Sequence, residues 1–111
     1  MKNPYLKPKV KKESTVEQYL VQQVRLAGGE ARKVAFIGRQ GAPDRVIILP
    51  GVIAWVELKS ATGTLRYAQE REHIRLREMG QEVFVLRTKE EVNLYLQEWI
   101  MESTRWKQKA S

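Results

Sequence analysis

The chain contains no cysteine, which excludes disulfides and cysteine-based zinc sites and fits a reducing compartment. No apolar run approaches the ~20 residues of a membrane span. The N-terminus is charged but has no apolar stretch behind it, so no secretory signal is expected. Internal repeats and low-complexity segments are absent. There is no zinc finger and no clear helix-turn-helix, so any nucleic-acid recognition must come from shape and charge. At 111 residues, 42% of them hydrophobic, the chain suits one domain, or one domain with tails.

Acidic charge is also scarce. Twenty Lys and Arg stand against 13 Asp and Glu, a net charge of +7. Such a surplus favours a polyanionic partner, most simply nucleic acid. Five lysines and two prolines fall within residues 1–13, which reads as a flexible basic arm. That arm is as well explained by solvation as by contact with DNA.

Against this background the acids between Gly41 and Lys59 stand out. Gly41-Ala42-Pro43-Asp44 leads into Val46-Ile47-Ile48-Leu49. Pro50-Gly51 follows, then Val52-Ile53-Ala54-Trp55-Val56 and Glu57-Leu58-Lys59. The pattern predicts two buried strands, roughly 44–49 and 52–59, joined by a tight turn. Desolvating an uncompensated carboxylate costs several kcal/mol, so charges at the ends of buried strands ask for partners.

Register sharpens the point. Antiparallel pairing about Pro50-Gly51 sets Leu49 opposite Val52, and counting outward sets Asp44 opposite Glu57. A three-residue loop would shift this pairing by one. Facing carboxylates repel, and a divalent cation between them converts the repulsion into a binding site. Lys59 lies two residues beyond Glu57 and therefore on the same face. Without Asp44 opposite, Glu57 and Lys59 would read as a surface ion pair worth under ~1 kcal/mol.

The remaining elements follow from caps and periodicity. Ser14-Thr15-Val16-Glu17 matches a capping box opening a helix that ends at Gly28-Gly29. Residues 31–37 read as a first strand, and Gly38-Arg39-Gln40-Gly41 as a mobile loop. A polar loop over 60–66 precedes a helix from about Tyr67 to Met79. Residues 82–87 form a strand, parallel to an earlier one because a helical crossover precedes it. Thr88 and Glu91 start a third helix with Val92, Leu96, Trp99 and Ile100 among its apolar positions. A basic tail is expected over 103–111. The expected core is α/β: a single αβββαβ unit with a small mixed sheet, plus a C-terminal helix with a broad apolar face that would serve a dimer interface.

This order, with Pro-Asp before one strand and Glu-x-Lys ending the next, resembles the PD-(D/E)xK nuclease superfamily. Gly41-Ala42-Pro43-Asp44-Arg45, Val56-Glu57-Leu58-Lys59 and the downstream Gln69 narrow the resemblance to the virus-type replication-repair nuclease family, VRR-NUC. Neither motif alone is specific; both together, in strand context, are. The resemblance runs from the Glu17 helix to about Leu96, within a nuclease domain expected over 14–102, and is to the short phage and bacterial type. It implies a metal-dependent DNA endonuclease on branched DNA, similar to a Holliday-junction resolvase working as a homodimer. A nicking or flap endonuclease of the same fold is the alternative, and a non-catalytic nucleic-acid-binding module is the rival from outside the enzymes. The implied cofactor is Mg²⁺ or Mn²⁺, and the implied location the cytoplasm of a bacterium or phage-infected host.

The resemblance also assigns roles. Asp44 and Glu57 would ligate the metal with the backbone carbonyl of Leu58, and Glu17 would reach it, directly or through water. Lys59 would orient or deprotonate the attacking water, and Gln69 would support that water or a phosphate. Glu17 already has a structural role in the capping box, which competes with the catalytic one. Arg39, Gln40, Arg45 and Arg66 flank the site as phosphate-contact candidates, or as ordinary solvated side chains. His73 shares a helix face with Gln69, but a lone histidine is more often structural.

Overall fold

A computed structural model of the protein describes residues 14–110; the basic arm expected over 1–13 lies outside them. The order is α1 (Thr15–Leu26), β1 (Glu30–Lys33), β2 (Arg45–Leu49), β3 (Val52–Leu58), α2 (Tyr67–Glu78), β4 (Val83–Leu86) and α3 (Lys89–Ala110). The strands form one mixed sheet in the order β1-β2-β3-β4. The first two pairings are antiparallel, and β3 pairs with β4 in parallel through the α2 crossover.

The hairpin keeps the counted register, with Leu49 opposite Val52 and Arg45 opposite Val56. A two-residue turn suffices because Gly51 takes φ +75 behind Pro50, the signs of a type II turn. A Cβ on Gly51 would also strike the Trp106 ring, which lies across the turn.

Alternation gives the sheet two different faces. Ile47, Leu49, Val52, Ala54, Val56 and Leu86 join Leu20 and Val24 of α1 and Val92, Leu96 and Trp99 of α3 in the apolar core. The opposite face carries Trp55 and Glu57 in β3 and lies under α2, whose buried residues are Glu72, His73 and Leu76. Trp55 packs edge-on against Phe36 there and donates to the Gln81 side chain.

Two boundaries differ from the sequence reading. The first strand stops at Lys33 rather than Ile37. The Val34 amide still donates to the Asp44 carbonyl at 3.1 Å, but the partner strand β2 begins only at Arg45, so the ladder stops there. The last helix runs on to Ala110 through the expected basic tail. Residues 100–110 contain neither Gly nor Pro, and Lys107 and Lys109 complement the negative end of the helix dipole.

Two of the expected caps form. The Ser14 Oγ accepts from the Glu17 amide at 3.0 Å, and the Thr88 Oγ1 from the Glu91 amide at 3.1 Å.

Candidate active site

The loop before β2, the end of β3 and the first turns of α2 meet at one end of the sheet. Gly41 makes the approach possible. It takes φ +87, and a Cβ there would lie 2.2 Å from the Ala68 carbonyl oxygen. Only glycine lets the loop backbone rest on the first turn of α2 in this conformation. Pro43 is fully buried behind it, and Asp44 follows at the threshold of β2.

The Asp44 carboxylate accepts the Leu58 amide at 2.7 Å and hydrogen-bonds the Glu57 side chain. The Glu57 residue is 2% exposed. Its carboxyl pKa is pushed up to about 8, first by burial, then by the hydrogen bond and the charge of Asp44; the nearby Lys59 ammonium works against the shift. The Glu57 carboxyl is therefore held toward its protonated form at neutral pH.

From α2, Gln69 Nε2 donates to Glu57 Oε2 at 3.1 Å. The Gln69 amide oxygen accepts from the Arg66 backbone at 2.9 Å, so the same side chain caps the helix. One turn on, His73 is 1% exposed and its Nε2 lies 3.6 Å from Glu57 Oε1. Burial and the positive charges of Arg77 and Lys59 press its pKa down, against the opposing pull of Asp44 and Glu70.

The structure thus brings together Asp44, Glu57, Leu58, Lys59 and Gln69 from the sequence-predicted set. Glu17 does not join them. Its Oε2 is held by Arg45 Nε at 2.9 Å, and Arg45 lies on the α1 face of the sheet. Arg45, expected as a phosphate contact, is instead an internal strut. It is 5% exposed, with its guanidinium also donating to the Ala31 carbonyl, because alternation in β2 turns it inward beside Ile47 and Leu49. Arg39 is half-exposed and reaches the buried Glu72 at 3.4 Å, while Gln40 and Arg66 are exposed.

Sequence reasoning missed Glu72 and left His73 aside. The four-residue step from Gln69 to His73 was the available signal; what it lacked was knowledge that this helix face meets Glu57.

The donor set suits a hard divalent cation. Two carboxyls lie side by side, and Glu57 Oε1 is buried with no hydrogen-bond partner among the described residues. Among the described residues no third carboxylate or histidine completes a ligand cluster, so water and phosphate oxygens would fill the other positions.

No family model matches the chain. It is 43% identical over 76 residues to "Putative nuclease p44" of Acyrthosiphon pisum secondary endosymbiont phage 1, spanning 68% of this chain and 82% of that protein. A solved VRR_NUC domain superposes with a TM-score of 0.70 at 37% identity, covering 76% of this chain and 92% of that domain. With its Pro43-Asp44 and Glu57-x-Lys59 motifs joined at one end of such a sheet, the chain belongs to the VRR-NUC nuclease family.

Proposed function

We propose that this nuclease is a metal-dependent DNA endonuclease whose centre is the Asp44–Glu57 pair. The observation that carries the reading is the pair itself: the Leu58 amide holds Asp44 at 2.7 Å beside a Glu57 that is almost wholly buried, and burial and Asp44 together push the Glu57 pKa up. Two acids crowded into a buried strand end lower stability unless a cation or proton neutralises them. A bound Mg²⁺ or Mn²⁺ would supply Lewis-acid activation of the scissile phosphate and of a water molecule.

The chain's own residues do the rest. Asp44, Glu57 and the Leu58 carbonyl would hold the cation. The Leu58 amide fixes the Asp44 rotamer. Gln69 holds Glu57 from α2 and supports the attacking water or a phosphate beside it. Lys59 takes the proton-handling and charge-balancing role beside that water. Glu17 acts through Arg45, buttressing the start of β2 rather than touching the reacting atoms. Arg39, Gln40 and Arg66 border the site as contacts to the DNA backbone, in keeping with the +7 charge.

The substrate is branched DNA, cut by a homodimer. Paired incision of a two-fold junction requires two sites, and one chain has one. Leu94 and Met101, each more than half exposed on α3, suit the dimer contact. Among the described residues no helix is long and apolar enough to cross a membrane. The proposed place of action is the cytoplasm of a bacterium or infected host.

The test is cleavage of a labelled four-way junction and a linear duplex, with Mg²⁺, Mn²⁺ or chelator. Metal-dependent cutting that Asp44→Ala abolishes is expected. Binding without cleavage in any divalent metal would overturn the enzymatic reading. Equal cutting of duplex and junction would overturn only the branched substrate. Light scattering that finds only a species of ~13 kDa at micromolar concentration would overturn paired incision.

A further inference from the structure

One buried group at this site has no task in holding the cation or handling the water. His73 is the only histidine of the chain. It is 1% exposed, and among the described residues neither ring nitrogen has a hydrogen-bond partner. The atom facing its Nε2, at 3.6 Å, is Glu57 Oε1, itself buried and without a partner. Unsatisfied buried polar atoms destabilise a fold, so a purely space-filling role is better served by an apolar side chain. Two such orphans facing one another, a few tenths of an ångström beyond bonding distance, are a donor and an acceptor whose bond closes on a small shift.

We infer that His73 is a positioning residue for Glu57: its Nε2–H donates to Oε1 while Gln69 holds Oε2, so that α2 clamps the carboxylate from both oxygens in the orientation that takes the cation. The spacing of four residues puts both donors on one helix face, one turn apart. Rigid α2 thereby fixes the rotamer of a ligand that sits on β3. Such outer partners of metal ligands typically contribute about 10- to 100-fold in metal affinity. The inference rests on Asp44 and Glu57 being the cation site.

Because the histidine is unique, its imidazole signals in ¹⁵N NMR of the full chain need no assignment by mutation. At about pH 9 in chelator, above the ordinary imidazole range, the expected signal is a single Nε2–H tautomer. Titrating Mg²⁺ should then shift Nε2 and its proton, saturating with the binding isotherm from calorimetry. An Nδ1–H tautomer, or rapid averaging of the two, would overturn the clamp. A stable Nε2–H with no Mg²⁺ binding would support the donor assignment and overturn the cation site instead. In a second arm, His73→Leu should weaken Mg²⁺ binding about 10-fold or more with its melting transition retained, and His73→Gln should recover most of it. Wild-type Mg²⁺ affinity in folded His73→Leu would overturn the inference.

Discussion

The two faces of the sheet are built from opposite materials. Against α1 and α3, beside the ion-paired Arg45, lie Ile47, Leu49, Val52, Ala54 and Val56, all buried and apolar. Against α2, the buried positions include Glu57, Glu72 and His73, several of whose polar atoms have no partner among the described residues. The first arrangement follows the ordinary logic of folding, in which burying an aliphatic side chain stabilises by about 1.5–3 kcal/mol. The second opposes it. The lesson is that the α1–α3 face holds the fold, and the α2 face is tolerated because that stability is already present.

The contrast between the faces is tested hardest at Asp44. Asp44→Ala should reduce cleavage by at least about 1,000-fold, with a melting temperature no lower than wild type, measured by junction cleavage and thermal denaturation. Glu57→Gln should do the same to cleavage. A large loss of stability in either would mean that the acids serve the fold.

On the other face, Leu20→Ala should cost about 2–5 kcal/mol in denaturant unfolding. The fraction that remains folded should cleave at the wild-type rate. A folded Leu20→Ala protein with impaired chemistry would mean that the faces are not separable.

The pH dependence tests the polar face without mutation. The folded Glu57 carboxyl titrates at about 8 against an ordinary 4.5. Between those values the folded state binds the extra proton, so this group's contribution to stability falls as pH rises through the window. In chelator the protein should therefore lose stability between about pH 5 and pH 8. The slope has a ceiling of about 1.4 kcal/mol per pH unit, the value for one proton. Saturating Mg²⁺ should offset the loss, and Glu57→Gln should flatten the profile. A profile flat in wild type would mean that the pair is not coupled as the geometry indicates.

Gly41→Ala probes the link between loop and helix. The added carbon meets the Ala68 carbonyl in a backbone conformation that disfavours L-residues, so the loop must lift from α2. Cleavage should fall about 10-fold or more, against a stability loss of about 1–3 kcal/mol. The smallest effect belongs to the N-cap. Ser14→Ala should cost about 1 kcal/mol and leave cleavage intact.

Much of the fold is legible in the sequence because its signals are local. Pro50-Gly51 fixes the hairpin turn, and from the turn the opposition of Asp44 and Glu57 follows by counting. Thr88 and Ser14 mark helix starts through their own hydroxyls. The parallel placement of β4 follows from its helical crossover. The misses share a cause too. The first strand ends early because its partner strand begins only at Arg45, and that partner is remote in sequence. Arg45 reads as a surface cation since charge usually means exposure, yet alternation beside Ile47 turns it into the core, where Glu17 and the Ala31 carbonyl receive it. That pairing also draws Glu17 away from the acids it was expected to join.

The chain order alone was enough for a mixed α/β sheet, a hairpin with two facing acids, and a lysine on their side, since backbone alternation and turn chemistry are set by neighbours in sequence. Which side chains complete that hairpin was a matter of packing. The docking of α2 set Gln69 and His73 on Glu57, and that of α1 gave Glu17 to Arg45. Contacts of this kind depend on which face of a helix meets which face of a sheet, and a helix rotated by one residue, about 100°, would have made different ones.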